Sequence, residues 1–220
     1  MRLILVRHGQ TTSNVGGLLD TGAPGADLTA LGRRQAAALP EALEAHAPTA
    51  VYASTLVRTQ QTAAPLASAL DVSVVVRDGL REVHAGHLEM LGDGRSVQTY
   101  LDAVFAWSQG DLDRRVPGGE DGHEVFGRYD AVVAEVAARH EVVVAVSHGA
   151  VVRAWCAARV GNLAPGYTAA TGLGNTGVVV LEGAPDDGWH AVTWEGRSVE
   201  GPAAHRPEHG AAGRPVPHEG

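Results

Sequence analysis

The amino-acid sequence predicts an α/β fold: three layers, a doubly wound and mainly parallel sheet with helices on both faces, and a helical insertion capping one rim. Three observations predict it. Leu3-Ile4-Leu5-Val6 and Val142-Val143-Val144-Ala145-Val146 are short apolar runs ending in Arg7-His8-Gly9 and Ser147-His148-Gly149. Such runs, bounded by glycine, read as strands buried on both faces. Strand-like and helix-like segments alternate along the chain, as they do when helices cross over a parallel sheet. Over sixty residues separate the third strand from the fourth. That is long for a simple crossover, so this stretch is expected to cover the rim as a cap.

The elements follow in order. Strand one, residues 2–7, leads into a polar, glycine-rich loop that runs to about residue 27. Asp27-Leu28-Thr29 then offers capping groups, and Leu31, Ala36, Leu39 and Leu43 keep helical spacing. Ala50-Val51-Tyr52-Ala53 is a second strand, and Leu56 to Leu70 a helix with Pro65 expected to kink it. Val72 to Val76 is the third strand, and Glu124 to Arg139 an amphipathic helix packed on the sheet. Val142 to Val146 is the fourth strand, followed by a helix over about 150–160. Val178–Leu181 and His190–Trp194 form a closing hairpin or edge pair. A domain over 1–195 is therefore expected, with a disordered tail over 196–220. Five glycines and four prolines fill that tail and large apolar residues are almost absent from it. Its His205, His209 and His218 are not expected to build a metal site.

Composition narrows the function. At 45% hydrophobic and 19% charged, the 220 residues are ordinary for a globular protein, and 5% aromatics leave the core to Ala, Val and Leu. All 17 basic residues are arginine, which codon bias explains, but the lack of lysine excludes a Schiff base and a Walker A site. A formal net charge of −8 argues against a general nucleic-acid binder. The lone Cys156 excludes an internal disulfide and fits a reducing compartment. The first apolar run is too short for a signal-peptide core, and nothing approaches a membrane span. A cytoplasmic protein is expected.

Ligands of open α/β sheets bind beyond the carboxyl ends of the strands. That rim collects Arg7 and His8 after strand one, Arg58 in the first turn of the helix after strand two, Glu82 after strand three and His148 after strand four. A cation at a helix amino end opposes the dipole, and a bound anion beside it relieves the conflict. Phosphoryl transfer suits this set. Guanidinium forks match phosphate oxygens, and a neutral imidazole can attack phosphorus and carry the group covalently. Flanking arginines disfavour the imidazolium of His8. Glu82 could protonate the leaving oxygen and then activate water.

Several blocks stand in a fixed order between residues 3 and about 182. They are Leu5-Val6-Arg7-His8-Gly9-Gln10-Thr11 with Asn14, Leu28-Thr29-Ala30-Leu31-Gly32, Ser54-Thr55-Leu56-Val57-Arg58-Thr59-Gln60-Gln61-Thr62-Ala63, Leu80-Arg81-Glu82, and Val146-Ser147-His148-Gly149. Together they resemble the histidine phosphatase superfamily, the phosphoglycerate mutase-like proteins. The resemblance implies His8 as nucleophile, Arg7, Arg58 and His148 as the phosphate pocket, and Glu82 as proton donor. Asn14 and the backbone of Gly149 would add phosphate contacts, with no metal or organic cofactor. Two features depart from common relatives. His87 and Leu88 stand where an acidic residue and a tryptophan often follow the glutamate. The cap pair Arg114-Arg115, which in mutase relatives helps hold a substrate carboxylate, runs into Pro117-Gly118-Gly119-Glu120 without a longer insertion and is read as a solvated loop.

The expectation is a phosphatase acting on small phosphorylated metabolites through a phosphohistidine. Mutase-type transfer, or a catalytically silent phosphate-binding module, are the alternatives. Sugar phosphates, phosphoglycerates, nucleotide-like esters and phosphoproteins are all compatible substrates. Gly172-Leu173-Gly174-Asn175-Thr176-Gly177 matches a dinucleotide fingerprint but precedes a strand instead of opening a helix, so it reads as a loop. Ser147 lacks a GxSxG elbow, His84 and His87 lack a third ligand at metal spacing, and Cys156 reads as core.

Overall fold

A computed structural model describes residues 1–199 of the chain. Seven strands form one sheet in the order β3-β2-β4-β1-β5-β6-β7. β1 (Arg2–Arg7), β2 (Ala50–Ala53), β3 (Val74–Val76) and β4 (Val142–Ser147) run parallel. β5 (Val178–Ala184), β6 (Gly188–Trp194) and β7 (Arg197–Ser198) add antiparallel to the other side of β1. β1 pairs with β4 from Arg2↔Val142 to Arg7↔Ser147, so His8 and His148 leave the sheet side by side.

Strand side chains alternate between faces, and both faces are apolar. Ile4, Val6, Val51, Ala53, Val144 and Val146 pack beneath one pair of helices. These are α3 (Leu39–Leu43) and α4 (Val57–Ala69). Leu3, Leu5, Tyr52, Val143 and Ala145 face the opposite layer. That layer holds α5 (Gly94–Ala106), α6 (Gly122–Ala137) and α7 (Gly149–Arg159). The three-layer, mainly parallel architecture expected from the alternating runs is thus present. α6 begins at a capping box in which Asp121 accepts from the Glu124 N–H and Glu124 reaches back to the Asp121 N–H. Between β3 and β4, α5 stands over the rim and brings Tyr100 and Leu101 to the cavity there. That is the cap.

The structure corrects several boundaries. The helix expected from Leu31 to Leu43 is two, α2 (Ala30–Ala37) and α3, because Pro40 has no N–H to continue the first ladder. Pro65 lies inside α4 without ending it. The third strand starts at Val74, since Asp71 turns left-handed (φ 54°) and the Val72 N–H bonds the Ala67 carbonyl at 3.0 Å to close α4. A short α1 (Thr12–Gly16) interrupts the expected loop, capped by Thr11 and Asn14. Past residue 195 the chain is still paired. Glu195 and Gly196, with φ of 50° and 74°, turn it back so that Arg197–Ser198 pairs with β6. The rest of the expected tail, residues 200–220 with its three histidines, lies outside the described residues.

Candidate active site

His8 is buried at the end of β1, its N–H still in the ladder to the Ser147 carbonyl at 3.0 Å. Its Nδ1 lies 2.8 Å from the Gly9 carbonyl. A carbonyl can only accept, so Nδ1 carries the proton and Nε2 holds a bare lone pair. Burial, and then the charges of Arg58 and Arg7, hold the imidazole well below its ordinary pKa, against the opposing pull of the Gly9 bond. Arginines were expected to keep His8 neutral; desolvation is the larger cause.

His148 is wholly buried beside it, ring centroids 5.2 Å apart and edge to face. Burial and then Arg58 depress its basicity in the same direction. Its Nε2 lies 2.8 Å from Ser54 Oγ, which in turn lies 2.9 Å from Thr59 Oγ1. Thr59 Oγ1 also donates towards the Leu56 and Ser54 carbonyls, at 2.8 and 3.1 Å, and Nδ1 of His148 has no hydrogen-bond partner among the described residues.

Arg7 donates Nη1 to the Leu173 carbonyl at 2.6 Å. Arg58, second residue of α4, donates Nη2 to the Asp20 carbonyl at 2.7 Å and has Nη1 3.7 Å from Asp20 Oδ1. Burial lowers the basicity of both guanidiniums, against nearby carboxylates. Glu82 meets the amino end of α7. Its Oε1 accepts from Val151 N (2.8 Å) and Val83 N (3.0 Å), and its Oε2 accepts from Ala150 N (3.0 Å). The carboxyl thereby satisfies helix N–H groups that have no intrahelical acceptor. Asn14 uses Oδ1 to accept from Thr11 N and Asn175 Nδ2, which leaves its own amide N–H₂ to serve the cavity it lines.

Both His-Gly pairs have a steric reason. A Cβ on Gly9 would stand 2.7 Å from the Gly32 carbonyl oxygen, where β1 meets the start of α2. A Cβ on Gly149 would stand 3.1 Å from Arg7 Nε, so the bare α-carbon lets that guanidinium lie along α7.

The structure brings the whole predicted set together. Arg7, His8, Asn14, Arg58, Glu82 and Gly149 line one cavity of about 190 Å³, with His148 packed behind His8. Its electrostatic state is unusual. Among the described residues, five buried side-chain polar atoms have no hydrogen-bond partner, and four of them are Arg7 Nε, Arg58 Nε and Nη1, and His148 Nδ1. Unpaired buried donors are costly. Guanidinium donors concentrated on one rim fit an anion with several oxygens.

Sequence reasoning missed the residues that hold this set in place. Asp20, inside the glycine-rich loop, anchors Arg58. Asn175, inside the loop dismissed as a false fingerprint, donates Nδ2 to the His8 carbonyl and to Asn14 Oδ1. Neither carries a local signal. Ser54 did: it directly follows β2, and so lies on the same rim as the others. The cap pair divides. Arg115 bonds Glu124, Asp121 and the Gly119 carbonyl, and Arg114 lines a neighbouring cavity instead of this one.

Comparison with known proteins gives a consistent picture. The model of the histidine phosphatase superfamily (branch 1) matches residues 3–197. The chain is 40% identical over 216 residues to the PE-PGRS family protein PE_PGRS11 of Mycobacterium tuberculosis, a match over 90% of this chain and 37% of that protein. It is 32% identical over 209 residues to glucosyl-3-phosphoglycerate phosphatase of the same organism, over 88% of this chain and 91% of that one. The solved structure of the mycobacterial glucosyl-3-phosphoglycerate phosphatase with VO3 superimposes with a TM-score of 0.74 at 32% identity, covering 88% of this chain and 98% of that chain.

Proposed function

The chain belongs to the histidine phosphatase superfamily, and from that membership and the site geometry we propose that it hydrolyses small-molecule phosphate monoesters through a phosphohistidine on His8. One observation carries the reading: nitrogens of Arg7, Arg58 and His148 are buried without partners, and these side chains are grouped with an imidazole whose Nε2 is unprotonated. A phosphoryl group between them satisfies the donors and presents phosphorus to the lone pair.

The chemistry divides into two displacements. Nε2 of His8 bonds to phosphorus as the bond from phosphorus to the ester oxygen breaks. The electron pair leaves with that oxygen, and Glu82 delivers a proton to it. Water then attacks the phosphohistidine, Glu82 takes the proton from it, and the N–P bond breaks to return neutral His8 and inorganic phosphate. Arg7, Arg58 and His148 hold the equatorial oxygens through both steps. None of these steps calls on a metal. A relative matched over 91% of its length is named for glucosyl-3-phosphoglycerate, a small phosphate monoester, which supports the same class here. A cytoplasmic setting fits the single cysteine, Cys156, buried in the core, and no helix among the described residues is long and apolar enough to cross a membrane.

Purified protein is expected to release phosphate from an aryl phosphate in the presence of EDTA, with inhibition by vanadate. Rapid quenching should trap an acid-labile, base-stable phosphoenzyme that His8→Ala cannot form. Activity that disappears with EDTA and returns with a divalent metal, or a phosphoenzyme that persists in His8→Ala, would overturn the reading.

A further inference from the structure

The glycine-rich loop 172–177, between α8 (Tyr167–Ala170) and β5, matches a phosphate-binding fingerprint, and nothing in the phosphoryl chemistry draws on its glycines. An anion does sit in it, and that anion belongs to the chain itself. Glu195, exposed on the turn between β6 and β7, accepts the Gly174 N–H with Oε1. Two of the glycines make room for that carboxylate. A Cβ on Gly177 would stand 2.5 Å from Glu195 Oε1, and one on Gly174 would stand 3.1 Å from it. The same turn grips the chain on either side of this contact. The Trp194 indole donates Nε1 to the Gly172 carbonyl at 2.9 Å, and the Glu195 N–H donates to the Val178 carbonyl at 2.8 Å, just past the loop.

The other side of the loop holds the site. Leu173 offers its carbonyl to Arg7 Nη1 at 2.6 Å, and Asn175 donates Nδ2 to the His8 carbonyl at 3.1 Å and to Asn14 Oδ1 at 3.0 Å. The Thr176 N–H donates to the Arg7 carbonyl at 3.0 Å. Arg7, His8 and Asn14 thus all lean on six residues of which three are glycine. Such a segment loses much chain entropy when it is ordered, so the contacts that fix it matter to the groups resting on it. We propose that Glu195 is a positioning residue for phosphoryl transfer: its carboxylate, seated against Gly174 and Gly177, fixes the loop whose Leu173 carbonyl aims the Arg7 guanidinium. The proposal rests on the phosphohistidine reading of the site. Glu195 does not line the cavity, so it acts through the loop or through its field. Burial works against the charge of Arg7, and the carboxylates of Glu82 and then Glu195 offset it. An exposed carboxylate acts weakly through solvent, which leaves the hydrogen bond as the larger lever.

Two variants separate the hydrogen bond from the charge. Glu195→Ala removes the acceptor, whereas Glu195→Gln keeps an acceptor for the Gly174 N–H and loses the charge. In Glu195→Ala, kcat/KM for an aryl phosphate should fall and the Kd of inorganic phosphate, read by calorimetry, should rise. Each change should be about tenfold, the scale of one charge-assisted hydrogen bond. Glu195→Gln should recover most of both. NMR should show the Arg7 guanidinium protons exchanging with water several-fold faster in Glu195→Ala, and near the wild-type rate in Glu195→Gln. Exchange at Arg58, which Asp20 holds, should stay unchanged, because only a general loosening would move both. Wild-type activity and phosphate affinity in Glu195→Ala, or equal losses in the two variants, would overturn the proposal. Protein that releases no phosphate from any ester would count against the phosphohistidine reading, and Arg7 exchange then decides this one. Faster exchange confined to Arg7 in Glu195→Ala supports it, and an unchanged rate overturns it.

Discussion

The tautomer of His8 is set by one backbone oxygen. The Gly9 carbonyl takes the Nδ1 proton, and burial beside Arg58 and Arg7 keeps a second proton off Nε2. Neutrality and a directed lone pair are what a nitrogen nucleophile needs. The expected measurement is direct. Imidazole ¹⁵N and ¹³C shifts of His8 should report the Nδ1–H form, unchanged from pH 7.5 down to about 5.5, where an ordinary imidazole is largely protonated. His148 should be equally silent over that range. Titration of His8 near pH 6.5 would show that burial does not protect it.

At the scale of elements, the loop that carries Glu82 is held by α6. Arg128 donates to the carbonyls of Gly79 (2.8 Å), Arg81 (2.8 Å) and Glu82 (3.0 Å) and forks onto Glu120, which is only 8% exposed. Glu120 also accepts from the His84 N–H and from Arg81. This buried pair sets where the Glu82 carboxyl meets α7. Arg128→Met should cost about 3–5 kcal/mol in denaturant unfolding, because it leaves Glu120 buried with one fewer partner. In the same variant, turnover of alkyl phosphates should fall by more than that of activated aryl phosphates, since only the former depend on a well-placed proton donor. Restoring the charge with Arg128→Lys should recover stability more than leaving-group sensitivity, because a point charge cannot reproduce the fork. Equal losses on both ester types would separate Arg128 from Glu82.

Over the whole molecule, keeping two imidazoles neutral and buried links stability to pH. The unfolded chain protonates His8 and His148 near pH 6.5, whereas the folded protein excludes both protons until their lowered pKa values are reached. The unfolded state therefore binds more protons in that window, and stability must fall as pH falls below about 6.5. Each group contributes at most about 1.4 kcal/mol per pH unit. Thermal unfolding should move to lower temperature between pH 7 and 5, with a shallower slope in His8→Gln and His148→Gln. Bound phosphate or vanadate should raise the midpoint, because it engages donors that only the folded rim assembles.

The sequence by itself determined the layers, the longer strands and the polar residues that gather on the rim of this protein. Apolar runs such as Leu3–Val6 and Val142–Val146 mark buried strands through local pattern alone, and a residue that directly follows such a run must stand on the rim. That is why Arg7, His8 and His148 could be placed before any contact was known. Only the tertiary structure decided what holds them. Asp20 reaches Arg58, Asn175 reaches His8 and Asn14, and Arg153 bridges α5 and α8 across separations that no window of sequence spans. The short pieces, α1 and β7, also escaped the pattern. A capping box and a two-residue turn stabilise them, with no apolar periodicity to announce them. Burial patterns are local properties of a chain, while hydrogen bonds between loops depend on where the sheet delivers each end.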